Sequence, residues 1–257
     1  MFWRCFRAVS LCGLFFVASC TGGVGTIRVS AGTVAQDAVK AGDIIMKRNP
    51  GSKELVIAAR YYKRASDLGY DWGQYKYGNM LLDGQGVEKN PQAAAEVFAK
   101  AADQGNDWAQ YKLGAMLMDG TGVPKDVTRG LAMLEKAAQS GNSWGQFRLG
   151  DSYMNGEGVA KDLNQARKYF EPSAKQGNPW AQLRLGAMYV EGTGAPKNVP
   201  EGQKLLEKSA AQDNSFAQVA LANLIYSSNP VRAKKLLSDA ARQGNEQAVA
   251  RLKQIGG

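Results

Sequence analysis

The sequence contains no histidine. That removes the residue most often used as a general acid or base at neutral pH, and the commonest imidazole ligand for zinc. Its three cysteines, Cys5, Cys12 and Cys20, all fall within the first twenty residues. The rest of the chain therefore has no thiol for a disulfide, a cysteine nucleophile or a thiolate metal site. The one long apolar stretch, Ala8 to Ser19, is shorter than the roughly 20 residues a bilayer-spanning helix needs. No paired carboxylates with a defined pocket, nucleophile elbow or phosphate loop can be found. The Gly-x-Gly pairs at 84/86, 120/122, 156/158 and 192/194 lack the preceding strand of a dinucleotide fingerprint and read as turns. No pattern implies a metal or cofactor, and an enzyme is the least favoured class. What remains is ordinary globular material: 257 residues, 44% apolar and 21% charged, with a net charge of +9.

The first twenty residues read as an address. Arg4 and Arg7 precede an apolar run containing Leu11, Leu14, Phe15, Phe16 and Val17, the charge order and length of a signal peptide over 1–19. Val17-Ala18-Ser19-Cys20 resembles a bacterial lipobox, which implies lipidation of Cys20. The other reading is a plain secretory signal in which Cys20 is incidental. The glycines after Cys20 suit a tether over 20–32. Thr21 rather than Asp after Cys20 implies, by resemblance to enterobacterial sorting, release to the outer membrane. Removal of 1–19 leaves 30 basic against 23 acidic residues, a net charge of +7. That favours acidic partners, and nucleic acid is a poor candidate outside the cytoplasm.

The body repeats. Trp72, Trp108, Trp144 and Trp180 are each 36 residues apart, and Phe216 falls 36 after the last. Gln74, Gln110, Gln146, Gln182 and Gln218 keep step, as do Gly78, Gly114, Gly150 and Gly186. A fixed period of this size predicts stacked helical hairpins. In the unit beginning at Trp108, Ala109, Leu113, Met116 and Leu117 predict a first helix to about Met118. Asp119-Gly120-Thr121-Gly122 stops it. Asp126 is the predicted N-cap of the second helix, a slot filled elsewhere by Asn90, Asp162 and Asn198. The second helix closes on Ala137-Ala138 and is stopped by Gly141, a role repeated by Gly69, Gly105, Gly177 and Gly244, with Asp213 the exception. Gly114, inside a helix at a cost of about 1 kcal/mol, predicts a close helix contact.

These motifs resemble the Sel1-like repeat family: Trp108-Ala109-Gln110-x-x-Leu113-Gly114, then Gly120-x-Gly122-Val123-x-Lys125-Asp126, then Ala137-Ala138-x-x-Gly141-Asn142. Four full copies cover 71–214. Residues 33–70 read as a degenerate hairpin, 215–245 as a shortened copy and 246–255 as a capping helix within the terminal segment 215–257. The resemblance implies an all-α solenoid, an α/α superhelix of helix-turn-helix units whose first helices line a concave side, and a role as a protein-binding scaffold.

Two ladders are candidates for binding on that side. The indoles of Trp72, Trp108, Trp144 and Trp180 either staple each helix start or form platforms for a glycan or an extended peptide. The cations of Lys76, Lys112, Arg148 and Arg184 form either a solvated face or a groove for an acidic polymer or peptide. Tyr75, Tyr111 and Phe147 run beside them and give way to Leu183 and Val219. The loop lysines Lys89, Lys125, Lys161 and Lys197 belong to the repeat motif and carry no assigned role.

Together these readings give an expectation: a lipid-anchored scaffold of a Gram-negative envelope, held at the outer membrane and facing the periplasm, that grips a protein partner. The resemblance to repeat lipoproteins points to assembly of an exopolysaccharide-export or pilus-type secretion complex. Two alternatives stand beside it. One is a glycan-binding module for an acidic polysaccharide. The other is a periplasmic regulator of a membrane signalling protein.

Overall fold

The structure, a computed structural model, describes residues 30–256. The expected signal peptide, Cys20 and most of the tether lie outside the described residues. Within them the fold is all-α, thirteen helices with no strand. None of these helices is long and apolar enough to cross a membrane. The chain divides into two compact units that meet in sequence at Lys89 and Asn90.

The first unit holds α1 (Ala31–Met46), α2 (Ser52–Asp67) and α3 (Asp71–Asp83). Helix α1 begins two residues before the expected start of the hairpin at 33. The reason is Ser30, whose Oγ accepts the Thr33 backbone N–H at 3.2 Å and so starts the helix at Ala31. Small residues bring α1 and α2 together: Ala35, Ala38, Ala58, Ala59 and Ala65 are buried around Tyr62. Gly42 is required here, because a Cβ would lie 2.6 Å from the Tyr62 ring. Helix α3 packs on α2 and adds Met80 to the same core.

The second unit runs α4 (Pro91–Asp103), α5 (Asp107–Asp119), α6 (Val127–Gln139), α7 (Ser143–Asn155), α8 (Leu163–Lys175), α9 (Pro179–Glu191), α10 (Val199–Ala210), α11 (Ser215–Ile225), α12 (Pro230–Arg242) and α13 (Glu246–Gln254). Each helix packs on the next in sequence, as stacked hairpins require. The predicted caps of the second helices are in place: Asn90, Asp126, Asp162 and Asn198 each accept a backbone N–H from the first turn of α4, α6, α8 and α10. A second capping series escaped the sequence reading. Asn106, Asn142, Asn178, Asn214 and Asn245 cap α5, α7, α9, α11 and α13, and all five are buried. Gly114 makes the close approach its position demands, since a Cβ would meet Gly130 O and Leu134 Cγ at 3.0 Å. Asp213 takes the left-handed backbone of the glycine it replaces, with φ of 58°.

Two glycines in this unit separate backbone strain from packing. Gly141 and Gly122 both have positive φ, 88° and 71°, but a Cβ at Gly141 meets open space whereas one at Gly122 lies 2.4 Å from Pro91 C. Gly141→Ala is expected to cost about 1–2 kcal/mol, the left-handed penalty alone. Gly122→Ala is expected to cost at least about 2 kcal/mol more, because α4 must move. Urea unfolding of the two variants measures the difference.

Candidate functional site: the first-helix strip

The repeat places an aromatic at position i of each first helix, a second large residue at i+3 and a cation at i+4, so all three share one face. In the first unit the set is Trp72, Tyr75 and Lys76 on α3; in the second unit the strip reads Trp108, Tyr111 and Lys112 on α5; Trp144, Phe147 and Arg148 on α7; Trp180, Leu183 and Arg184 on α9; and Phe216 and Val219 on α11. All four indoles are half-buried, neither lost in a core nor fully presented. Trp144 packs against Tyr111 of the preceding first helix, with centroids 6.2 Å apart, and edge-on to its own Phe147 at 6.3 Å. Trp180 meets Phe216 at 5.5 Å, and Phe216 is itself exposed. In the first unit Trp72 and Tyr75 lie 5.0 Å apart. The two pairs that join successive first helices, Tyr111–Trp144 and Trp180–Phe216, stiffen their repeat junctions while their rings stay partly exposed.

The cations are not a bare positive row. Arg148 reaches Asp119 at 3.3 Å, Arg184 reaches Asp151 at 3.0 Å, and Lys76 reaches Asp43 at 3.1 Å. In each case the carboxylate comes from an earlier helix, so the pair also spans a junction. Lys112, on α5, is half-buried. The ammonium of Lys76 further lies 5.5 Å from the Trp72 ring centre and 5.9 Å from that of Tyr62, while the Tyr62 hydroxyl donates to Asp43 at 2.7 Å. These pairs are partly solvated, so each contributes little to stability. Their main effect is to neutralise the strip locally.

Two phenols titrate abnormally because of this arrangement. Burial pushes Tyr62 well above the ordinary tyrosine range, and its bond to the Asp43 carboxylate adds to the shift. Burial also raises Tyr111, against the opposing charge of Arg148 and with the support of Asp119. Beneath the strip lies a ladder of buried glutamines. Nε2 of Gln110, Gln146, Gln182 and Gln218 donates to Ala102 O, Ala138 O, Ala174 O and Ala210 O at 3.3, 3.3, 3.1 and 3.4 Å. Their Oε1 atoms face the end of the following second helix: Gln176, Gln212 and Gln243 donate to Gln146, Gln182 and Gln218 at 2.9, 2.9 and 3.0 Å. Residue 140 occupies the corresponding slot for Gln110 but is serine, and Gln110 Oε1 has no hydrogen-bond partner. A separate open groove lies beside α4, over Ala95, Ala99, Leu113, Leu117 and Val127. Nothing in the 36-residue ladders had marked it.

Six stretches match the Sel1 repeat: 46–70, 73–106, 109–142, 145–178, 181–214 and 216–245. The chain belongs to the Sel1 repeat family. Proteins of this family bind protein partners, and their fold is the solenoid described by the helix order above. Among solved structures, a protective antigen of uropathogenic Escherichia coli with the SLR fold is similar, with a TM-score of 0.71 and 32% identity over 86% of this chain. This chain spans only 48% of that protein's length. A Sel1 repeat protein from Oxalobacter formigenes gives a TM-score of 0.72 and 27% identity, covering 80% of this chain and 84% of that one. An immunity protein from Pseudomonas aeruginosa shares the fold, with a TM-score of 0.55 and 24% identity over 83% of this chain and 82% of its own. No curated protein matches the sequence.

Two measurements test this geometry. Ser140→Gln supplies the missing donor to Gln110 Oε1 and is expected to stabilise the chain by about 0.5–1.5 kcal/mol in urea unfolding. The raised phenols stabilise the fold fully below the unfolded tyrosine value near pH 10, and that contribution is lost as pH rises further. Tm is therefore expected to fall on the alkaline side of pH 10, and Tyr62→Phe should flatten that fall while lowering Tm at neutral pH.

Proposed function

We propose that the chain is a lipid-anchored scaffold of the bacterial cell envelope, held through Cys20 and facing the periplasm, whose first-helix strip grips a protein partner during assembly of a secretion complex. The anchor rests on Val17-Ala18-Ser19-Cys20 at the end of a signal-like run. The observation that carries the binding surface is the pairing of half-buried indoles with junction-spanning ion pairs on one face. Ring edges of this kind contribute most when a partner completes their burial, and the Asp–Arg pairs around them offer donors and acceptors to a peptide backbone. A rigid solenoid presents that face preorganised, and a membrane anchor raises local concentration, so modest intrinsic affinity is enough.

An acidic polysaccharide is a weaker fit. Such a polymer needs a net positive track, and Asp119 and Asp151 sit against the cations that would form it. A photo-crosslinker placed at Lys112 in living cells should capture a discrete protein. Trp144→Ala is expected to weaken that partner by at least about tenfold, the size of a truncated aromatic anchor. Retention of the chain on an acidic polysaccharide column that is unaffected by Trp144→Ala and abolished by Arg148→Glu would reverse the choice of partner.

A further inference from the structure

The outer face of α2 is built unlike the other second helices. Ile57, Tyr61, Arg64 and Leu68 follow i, i+4, i+7 and i+11, so they form one stripe along the helix and its last turn. The three apolar members are exposed: Ile57 46%, Tyr61 37% and Leu68 44%. The opposite face, Ala58, Tyr62 and Ala65, is buried in the first unit. Arg64 lies within the stripe, Lys53 and Arg60 border one side and Glu54 the other, all exposed, so cations outnumber the acid three to one. Their aliphatic stems can lie along an apolar surface while the charged ends stay in water.

We infer that this stripe docks on an anionic phospholipid bilayer, laying α2 in the plane of the membrane interface. The inference rests on the lipid at Cys20 proposed above. An apolar line bordered by Lys and Arg is the pattern of an interfacial helix, and a tyrosine within it matches the preference of that ring for the headgroup level. The cations complement phosphatidylglycerol. Reach agrees as well. Cys20 precedes Ser30, the cap of α1, by ten residues, which can span at most about 35 Å. A lipid held at Cys20 therefore keeps the first unit within one tether length of the surface at all times, where a weak docking face is effective.

The body's lack of cysteine after Cys20 supplies the test. Leu68→Cys gives a single reactive thiol for an environment-sensitive dye once lipidation has consumed the Cys20 thiol. Val231→Cys, at a site 81% exposed in the second unit, gives the reference. The processed full chain is mixed with phosphatidylglycerol/phosphatidylethanolamine vesicles, and intact mass reports whether Cys20 carries lipid. Docking predicts a blue shift at 68 that quencher-bearing lipids suppress, with no shift at 231. It also predicts that high salt reverses the shift. Arg60→Glu and Arg64→Glu should each weaken it on the order of fivefold. A lipidated chain that sediments with vesicles yet shows the same unshifted dye at 68 and 231 overturns docking and leaves the anchor standing. A mass without lipid overturns the anchor; the dye is then placed at 68 with Cys20→Ser also made, and a vesicle-dependent shift there supports docking while its absence refutes it. A shift at 68 that follows protein concentration without vesicles assigns the face to a second copy of the chain and overturns the inference.

Discussion

The stack depends on one side-chain hydrogen bond repeated along the chain. Gln110, Gln146, Gln182 and Gln218 each donate to an alanine carbonyl in the last turn of the preceding second helix, as Gln146 does to Ala138 O at 3.3 Å. That carbonyl already accepts the Gly141 backbone N–H at 3.0 Å in the turn that closes the helix, so the glutamine amide adds a second donor to it. Leaving the buried amide donor itself unsatisfied would cost on the order of 1–3 kcal/mol. The glutamine therefore fixes both the distance and the rotation between one hairpin and the next. Its Oε1 is then held by the closing residue of its own hairpin, Gln176 in the case of Gln146. One amide thus ties three helices, and the spacing of the tryptophans on the opposite side of the same helix follows from it.

The alanines and glycines make this register possible. Ala137, Ala101 and Ala240 are fully buried, which lets the backbone carrying the acceptor come within reach of a glutamine side chain. Close packing of that kind tolerates little change in volume. Buried serines add to it: Ser173 Oγ donates to Ser143 O at 2.6 Å and Ser209 Oγ to Pro179 O at 2.7 Å. The core is therefore thin and partly polar, in keeping with an architecture in which each unit meets only its neighbours.

Much of this was legible because a constant period converts residue identity into position. The helix order, the caps at Asn90, Asp126, Asp162 and Asn198, and the tight approach at Gly114 could all be read from one aligned column each. The electrostatic partners could not. Asp119 lies 29 residues before Arg148, whereas Asp151 lies 33 before Arg184 and Asp43 lies 33 before Lys76. Asp43 and Asp151 share one repeat position, which holds Asn79 and Ala115 between them, and Asp119 lies one helical turn away in another, so no unbroken acidic column faces the cations. The buried asparagine caps were hidden for the opposite reason. Asn142 stands beside the helix-stopping Gly141 and reads as part of that motif, although the same residue ends one element and starts the next. The stripe on α2 falls in the degenerate first hairpin, where no ladder exists to align.

The serine at position 140 has a consequence for motion. In a linear array the cohesion of each junction is nearly independent, so the least cross-linked one opens first. Gln110 holds α4 but receives nothing from the end of α6, whereas the next three glutamines are held on both sides. The amide protons closing α6 should therefore trade with solvent deuterium sooner than those closing α8 and α10, making this seam the natural hinge line of the second unit.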